Sequence, residues 1–219
     1  MRDEVYLQSA RIGQALASPQ RLRLLNRLAQ RPHTVGQLAE ILGESKASTS
    51  AHLKVLRAAC LVEDERRGRE VWCRLASDEV AALLVKTRAV AEQLLPELGD
   101  VVRAAAVDPT VLTGATLSQV VRNARAGRVR LLDLRPADEF EAGHLPTAAS
   151  LPLSLLESRS LAELRREYGQ GDVVAYCRGP WCVMAAEGVD RLKRAGVSVR
   201  RLPAGVTEWR AEGRKLATR

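Results

Sequence analysis

The hydrophobic pattern of this 219-residue chain changes at about residue 100, and this change most limits how the chain can fold. Before that point, apolar residues recur mainly with helical spacing. After it, short and mainly apolar runs such as Val129 to Leu134 and Val173 to Tyr176 alternate with helical segments. Apolar strands that alternate with helices are typical of a parallel sheet covered on both faces. The pattern therefore predicts a mainly α-helical domain followed by an α/β domain with a parallel sheet.

Turn residues mark the boundary between the two predicted domains. Gly99-Asp100 ends the last helical segment of the first half, and the stretch up to Thr116 has only weak periodicity. We predict a first domain over residues 1–98, a linker over residues 99–112 and a second domain over residues 113–219.

The composition is that of an ordinary globular protein, with 46% hydrophobic and 27% charged residues. No apolar run approaches the ~18 residues of a membrane span. The first twenty residues mix charges into their apolar positions, unlike a secretory signal. We therefore expect no membrane partner and a cytoplasmic location. The four cysteines are too few for a disulfide scaffold, which suggests that they are buried or have a chemical role.

Start and stop signals in the first domain predict a series of helices with one tight turn. Ser18-Pro19 is typical of a helix start, and Thr34 with Gln37 forms a capping-box pattern. Gly43 can end one helix and Ser45 can cap the next. The predicted helices cover residues 4–16, 20–30, 35–42, 46–59 and 77–98.

Two short apolar runs, 61–62 and 71–75, flank the charged turn 65–70 and indicate a β-hairpin. Helix, tight turn, helix and hairpin is the order of a winged helix-turn-helix, so double-stranded DNA is the expected partner. Residues that carry hydroxyls, an imidazole or cations are expected to contact bases or phosphates. They are Ser45, Lys46, Ser48, Ser50, His52 and Lys54 near the start of and along the helix 46–59, and Arg66, Arg67 and Arg69 at the hairpin tip.

The formal net charge of +8 is unevenly distributed. Residues 1–100 carry 15 Lys and Arg against 13 Asp and Glu, whereas residues 101–219 carry 19 against 13. DNA binding by the first half therefore has to rest on its local basic patches. In the second half, the excess of cations would favour an anionic ligand.

The predicted helix 77–98 has an apolar face that is wider than a domain of this size can bury alone. This apolar stripe consists of Val80, Leu83, Leu84, Val90, Ala91, Leu94 and Leu95. We expect a second copy of the chain to bury this stripe, so the stripe predicts a homodimer.

The second domain carries a cysteine motif directly after the strand that ends at Tyr176. The motif is Cys177-Arg178-Gly179-Pro180-Trp181-Cys182, and a helix is predicted to start at Val183. Open α/β sheets bind ligands at the carboxyl ends of their strands, where loop amides and the helix dipole favour a thiolate. We therefore predict Cys177 as the nucleophile, Arg178 as a cation for an anionic substrate, and the loop through Val183 as the substrate-binding site.

Other chemistries of a cysteine loop fit this sequence less well. A cysteine-dependent phosphatase needs an arginine six residues after the nucleophile, where this chain has Val183. Pro180 removes an amide donor, so the loop suits a single sulfur atom better than a tetrahedral oxyanion. No second Cys/His pair stands near Cys177 and Cys182, so we expect neither a metal nor a cofactor.

Three motifs of the first domain resemble those of the ArsR family of bacterial winged-helix repressors. They are Ala17-Ser18-Pro19-Gln20-Arg21-Leu22-Arg23-Leu24-Leu25, Thr34-Val35-Gly36-Gln37-Leu38-Ala39 and Ser48-Thr49-Ser50-Ala51-His52-Leu53-Lys54-Val55-Leu56-Arg57. The resemblance implies a homodimer built on the first and last helices, bound to a palindromic operator and released by an inducer. Metal-sensing members carry cysteines in the third helix. Residues 35–42 have none, so a metal site of that type is not expected.

The second domain resembles the rhodanese family over about residues 113–216. The resemblance rests on the segments Leu131 to Pro146 and Leu202 to Trp209, and on Cys177 at the family's catalytic position. It implies sulfur transfer: the Cys177 thiolate takes a sulfane sulfur from a small anion such as thiosulfate or a polysulfide, holds it as a persulfide and passes it on. Thr147 and Ala204 stand where the family usually has glycines.

The remaining cysteines leave alternatives open. Cys182 can be a packed residue, or a resolving thiol that attacks the persulfide and forms a disulfide with Cys177. Cys60 and Cys73 flank the hairpin and could form a redox pair, although we expect them to be buried as small hydrophobic residues. In contrast, we expect structural roles for Asp133, Arg135 and His144, the first two by orienting loops at a strand end.

These features lead to one main hypothesis and two alternatives. The main hypothesis is a DNA-binding regulator, a repressor, whose DNA affinity changes when Cys177 carries a persulfide. The first alternative is a thiosulfate-type sulfurtransferase whose DNA binding serves only autoregulation. The second is a catalytically idle rhodanese fold that acts as a dimerisation platform.

Overall fold

The computed structural model describes residues 2–98, 100, 108 and 110–218. They form two compact units, Met1–Val85 and Lys86–Arg219. Most of the predicted linker 99–112 lies outside the described residues, so its bounds stay a prediction. No helix in the described part of the chain has the length and apolar character needed to cross a membrane.

The first unit contains the winged helix-turn-helix that the sequence predicts. Its elements are α1 (Arg2–Leu16), α2 (Pro19–Leu28), β1 (His33–Thr34), α3 (Val35–Leu42), α4 (Lys46–Ala58), β2 (Val62–Arg67), β3 (Glu70–Leu75) and α5 (Asp78–Leu94), the last of which continues past Val85. The strands pair antiparallel in the order β1-β3-β2. Leucines of α2, α3 and α4 form a core with Leu61, Leu75 and Val80.

Local capping signals set the helix-turn-helix geometry. The Ser18 hydroxyl accepts a hydrogen bond from the Arg21 amide at the start of α2. Thr34 and Gln37 form the predicted capping box of α3, and Gly43 ends that helix with a left-handed φ of 69°. The Ser45 hydroxyl caps α4 by accepting from the Ser48 amide. These caps confirm the predicted turn, because each satisfies backbone groups that a helix end leaves unpaired.

The second unit is an α/β fold with a parallel sheet. Its elements are α6 (Leu117–Arg125), β4 (Val129–Asp133), α7 (Ala137–Ala142), β5 (Ala149–Ser150), α8 (Leu153–Ser158), α9 (Leu161–Tyr168), β6 (Asp172–Tyr176), α10 (Val183–Arg194), β7 (Val199–Arg201) and α11 (Val206–Ala211). The strands pair in the order β5-β4-β6-β7, all parallel. Alternate residues of β4 and β6 enter two hydrophobic clusters, so both faces of the sheet are covered.

The structure corrects several predicted element bounds. The predicted turn 65–70 is shorter, because Arg66 and Arg67 lie within β2 and pair with Val71 and Glu70. Helix α8 was not predicted, and α5 ends at Leu94. Charges of opposite sign that face each other across a hairpin stabilise strands that lack apolar alternation.

Candidate functional site

Helix α4 presents the predicted DNA-contacting residues in two groups. Lys46, Ser50 and Lys54 are exposed. Ser45 caps the helix, and the Ser48 hydroxyl donates to the Glu44 carboxylate at 2.9 Å. The same carboxylate lies 3.9 Å from Nε2 of His52. The predicted set is therefore split between side chains that reach solvent and side chains that the protein itself engages.

The hairpin exposes all three of its predicted arginines, but their contacts differ. Arg67 donates to the Glu65 carboxylate at 2.9 Å and lies over the Trp72 ring, 5.1 Å from its centroid. The hydrogen bond from Arg67 lowers the pKa of Glu65. Arg66 and Arg69 are thus the better placed of the three to neutralise phosphates.

Exposed apolar side chains lie on α1 and on the second half of α5. Tyr6 is 74% exposed and Leu94 is 67% exposed, and Val5, Leu7 and Val90 are exposed as well. The first half of the predicted α5 stripe packs inward instead, where Val80 is buried. The part of the stripe left for a partner is therefore its carboxyl half.

The cysteine motif occupies the loop between β6 and α10. Cys177 follows the last residue of β6 and is only 1% exposed. Cys182 is the N-cap residue of α10 and is half-buried. The two residues form a disulfide, with their Cα atoms 6.3 Å apart. This separation lies within the range that a disulfide normally spans.

Backbone contacts shape this loop. The Cys182 amide donates to the Gly179 carbonyl at 3.2 Å, which closes the turn. A Cβ on Gly205 would lie 2.1 Å from the Cys177 carbonyl oxygen, so only glycine lets the segment before α11 approach Cys177 so closely. Arg201 donates to the Pro180 carbonyl at 3.3 Å. The loop is therefore held against both β7 and α11.

Arg178 does not point its charge into the loop as the sequence suggested. Its guanidinium donates to both carboxylate oxygens of Glu139, with Nε at 2.9 Å from each. Glu139 is itself buried. A cation paired in this way offers little net charge to an anionic substrate, so its main effect is to orient the start of the loop.

A buried ion pair supports the strand ends beneath the loop. Arg135 and Asp133 are both fully buried, and the Arg135 guanidinium also donates to the Gly143 carbonyl at 2.8 Å. The Tyr176 hydroxyl accepts from the Leu145 amide at 3.0 Å. Burial raises the pKa of Tyr176 well above its usual value. These contacts confirm the expected loop-orienting role of Asp133 and Arg135.

The first-unit cysteines differ from each other. Cys73 is buried and accepts a hydrogen bond from Arg57 at 3.3 Å, and burial raises the pKa of its thiol to about 11. Cys60 is exposed, so the expectation that it is buried is wrong. It follows the end of α4 with a left-handed φ of 55°, a position set by the helix end rather than by side-chain packing.

Comparison with known proteins follows the same division of the chain. Residues 18–64 match the family described as bacterial regulatory protein, arsR family, and residues 116–212 match the rhodanese-like domain. The HTH-type transcriptional regulator Rv0324 of Mycobacterium tuberculosis is 40% identical over 94% of this chain and 88% of its own length. This chain belongs to the ArsR family. It is a transcriptional regulator of that family with a rhodanese-like domain.

Two further comparisons cover the first unit of this ArsR-family regulator. The HTH-type transcriptional regulator NmtR of M. tuberculosis is 42% identical over 35% of this chain and 64% of its own length. The solution structure of a homodimeric winged helix-turn-helix DNA-binding domain, Mb0332 from Mycobacterium bovis, is 34% identical. That match covers 44% of this chain and 89% of the other, with a TM-score of 0.42.

Three residues that the sequence did not predict also contact site residues of this ArsR-family regulator. Glu44 engages Ser48 and His52, Glu139 holds Arg178, and Arg201 holds the Pro180 carbonyl. Glu44 precedes the N-cap residue of α4, and this position could have been used to predict its contacts with that helix. Glu139 and Arg201 act through contacts distant in sequence, which no local pattern reveals.

One position that departs from the rhodanese pattern has an unusual backbone conformation. Thr147 has a left-handed φ of 70°, a conformation that glycine adopts readily and a β-branched residue does not. Threonine therefore holds a backbone conformation here that glycine would adopt more readily.

Proposed function

We propose that this chain is a DNA-binding repressor that senses sulfane sulfur through a persulfide on Cys177. The observation that carries the proposal is the position of Cys177: it ends a central parallel strand, it lies in the loop before α10, and it shares a chain with a winged helix-turn-helix. The carboxyl ends of parallel strands and helix N-termini are sites where a thiolate is favoured.

The chemistry proposed for Cys177 is nucleophilic attack on the outer sulfur of a small anionic donor. With thiosulfate, the thiolate forms a new S–S bond, the donor's S–S bond breaks, and sulfite leaves with the electron pair. The loop amides before α10 supply donors for the terminal sulfur of the persulfide. Because Glu139 engages Arg178, and the Pro180 carbonyl and Asp108 engage Arg201, recognition of the donor rests on these backbone groups rather than on either arginine.

The DNA-binding proposal rests on exposed cations of the first unit. Lys46 and Lys54 on α4, and Arg66 and Arg69 on the hairpin, are available to phosphates. Exposed apolar residues on α1 and α5 support a homodimer, whose two-fold symmetry would require a palindromic operator. A regulator of this kind would act in the cytoplasm.

Mutation of the α4 lysines tests the DNA-binding proposal. The double variant Lys46→Ala/Lys54→Ala should bind operator DNA about tenfold more weakly and with a shallower salt dependence, because two phosphate contacts are lost. Lys193→Ala removes an exposed lysine from α10 and serves as the matched control. If the double variant and Lys193→Ala bind the operator equally well, α4 is not the DNA-binding helix.

The sulfurtransferase alternative is favoured by a match that spans the rhodanese-like domain from residue 116 to residue 212. Turnover separates it from the sensor. A sensor is modified about once per chain, whereas an enzyme forms thiocyanate continuously from thiosulfate and cyanide. If the donor leaves Cys177 of the reduced chain unmodified, with neither a persulfide nor a disulfide seen by mass spectrometry, the idle domain is supported and both are rejected.

A further inference from the structure

The rhodanese-like domain holds a second sulfur against its predicted nucleophile. Cys177 and Cys182 are five residues apart in sequence and paired in the structure. A rhodanese mechanism uses one thiolate, which returns to its starting state when the sulfur is passed on. A second thiol of the same chain, within bonding distance, provides another route by which that sulfur can leave Cys177.

We propose that Cys182 is a resolving thiol that reduces the sulfur carried by Cys177 to sulfide. This inference rests on the persulfide proposed above. The Cys182 thiolate attacks Sγ of Cys177, the S–S bond of the persulfide breaks, and the terminal sulfur leaves as HS⁻. The sulfane sulfur gains two electrons and the two cysteines lose two in forming their disulfide, so the donor itself is the oxidant.

The placement of Cys182 suits an attacking thiolate. It is the N-cap residue of α10, a helix of 12 residues, and its side chain makes no capping hydrogen bond. The partial positive charge of a helix N-terminus favours the thiolate. Cys182 is half-buried whereas Cys177 is 1% exposed, so the neighbouring thiol reaches the Cys177 sulfur more readily than a thiol from solution.

Three contacts hold the loop in the conformation in which the two sulfurs are bonded. Its start is oriented by the Arg178–Glu139 pair, its middle by the bond from Arg201 to the Pro180 carbonyl, and its end by the bond from the Cys182 amide to Gly179. A loop held at three points loses little conformational entropy on closing the disulfide. The persulfide is therefore a short-lived species, and the disulfide is the oxidised state that lasts.

Mass spectrometry of the reduced full-length chain after mixing with inorganic polysulfide tests this step. In the wild type, an adduct of about 32 Da on Cys177 should give way to the disulfide, about 2 Da lighter than the dithiol, with about one sulfide released per chain. In Cys182→Ser the adduct should last at least about tenfold longer, without disulfide formation. Cys60→Ser, which removes the exposed thiol of the first unit, should match the wild type.

The two variants of the motif separate failure of this step from failure of the persulfide itself. If Cys182→Ser never acquires the adduct on Cys177, the sulfur-sensing proposal fails and this inference fails with it. If Cys182→Ser forms the adduct but the wild-type adduct lasts as long and releases no sulfide, only the resolving role of Cys182 is rejected. If Cys177→Ser acquires an adduct on Cys182 faster than Cys182→Ser acquires one on Cys177, the two roles are reversed and the proposal is also rejected.

Discussion

The hairpin of the first unit and the cysteine loop of the second unit use arginine in opposite ways. On the hairpin of the first unit, Arg66 and Arg69 are exposed. Beneath the cysteine loop of the second unit, Arg135 is fully buried against Asp133, and Arg178 is held by Glu139. The side chain that serves as a surface cation in one unit serves as an internal hydrogen-bond donor in the other.

This contrast shows why a count of charges misleads about binding. The second half has the larger excess of Lys and Arg, yet the arginines closest to Cys177 are engaged by carboxylates or carbonyls of the same unit. The first half is nearly neutral, but it places cations where DNA can reach them. Placement, rather than the sum of charges, determines which unit can bind a polyanion.

The largest expected effect comes from removing the buried cation. Arg135→Leu leaves the Asp133 carboxylate buried without its main partner, and should lower the free energy of unfolding of the second unit by about 3–5 kcal/mol. In the first unit, Arg74 pairs with Glu63 on the exposed hairpin, so Arg74→Leu should cost no more than about 1 kcal/mol. Chemical unfolding, with hydrogen exchange to assign the loss to a unit, measures both. Equal losses in the two variants would contradict the comparison.

The next largest effect concerns the buried cysteine of the first unit. Because burial raises the pKa of Cys73 to about 11, its alkylation in the folded chain at pH 8 should be about a hundredfold slower than that of an ordinary cysteine. Exposed Cys60 provides the internal control. Since the folded-state pKa lies above the unfolded one, the contribution of Cys73 to stability is complete below the ordinary cysteine pKa. It is lost as the pH rises toward about 11.

Rapid alkylation of Cys73 at pH 8 would show that β3, on which Cys73 lies, opens to solvent. It would also weaken the distinction between Cys73 and Cys177. Both cysteines are buried, but only Cys177 stands at a strand end with a second sulfur beside it.

A smaller effect is expected from the hairpin cations. Arg66→Ala/Arg69→Ala should weaken operator binding about 10- to 30-fold and reduce the salt slope by about two. Arg67→Ala should change the affinity less than about threefold, because Arg67 is engaged by Glu65 and Trp72. Titrations of operator DNA at several salt concentrations measure both quantities. If Arg67→Ala loses as much affinity as the double variant, the contacts of Arg67 with Glu65 and Trp72 do not keep it from binding phosphate.

The smallest effect is expected at the strained turn of the second unit. Thr147→Gly relieves a left-handed φ of 70° and should stabilise that unit by up to about 1 kcal/mol, as measured by thermal unfolding. The matched position in the first unit is Cys60, with a φ of 55°, where Cys60→Gly should have a similar effect. Destabilisation by Thr147→Gly would mean that the Thr147 side chain stabilises the turn more than its backbone strain costs.

Local signals made much of the fold predictable. The capping box at Thr34 and the stop at Gly43 set both ends of α3, and the apolar run before Cys177 placed that cysteine at a strand end. The strand β2 was underestimated because its charged residues lack apolar alternation. It forms because residues such as Glu63 and Arg74 face each other and form an ion pair across the hairpin.

The parts of the site that escaped prediction depend on contacts distant in sequence. Arg178 was expected to face an anion, but its partner Glu139 lies 39 residues away. Arg201, which holds the loop through Pro180, lies on the neighbouring strand β7. The pairing of Cys177 with Cys182 stayed open from sequence, since spacing alone does not determine how closely two sulfurs approach.

The central claim is that sulfane sulfur at Cys177 changes how the chain binds DNA. Operator affinity measured at one fixed salt concentration, with and without inorganic polysulfide, tests it directly for the wild type and for Cys177→Ser. The account predicts that polysulfide changes the wild-type Kd at least about tenfold and leaves the Kd of Cys177→Ser unchanged. An unchanged wild-type Kd, or an equal change in Cys177→Ser, would contradict it.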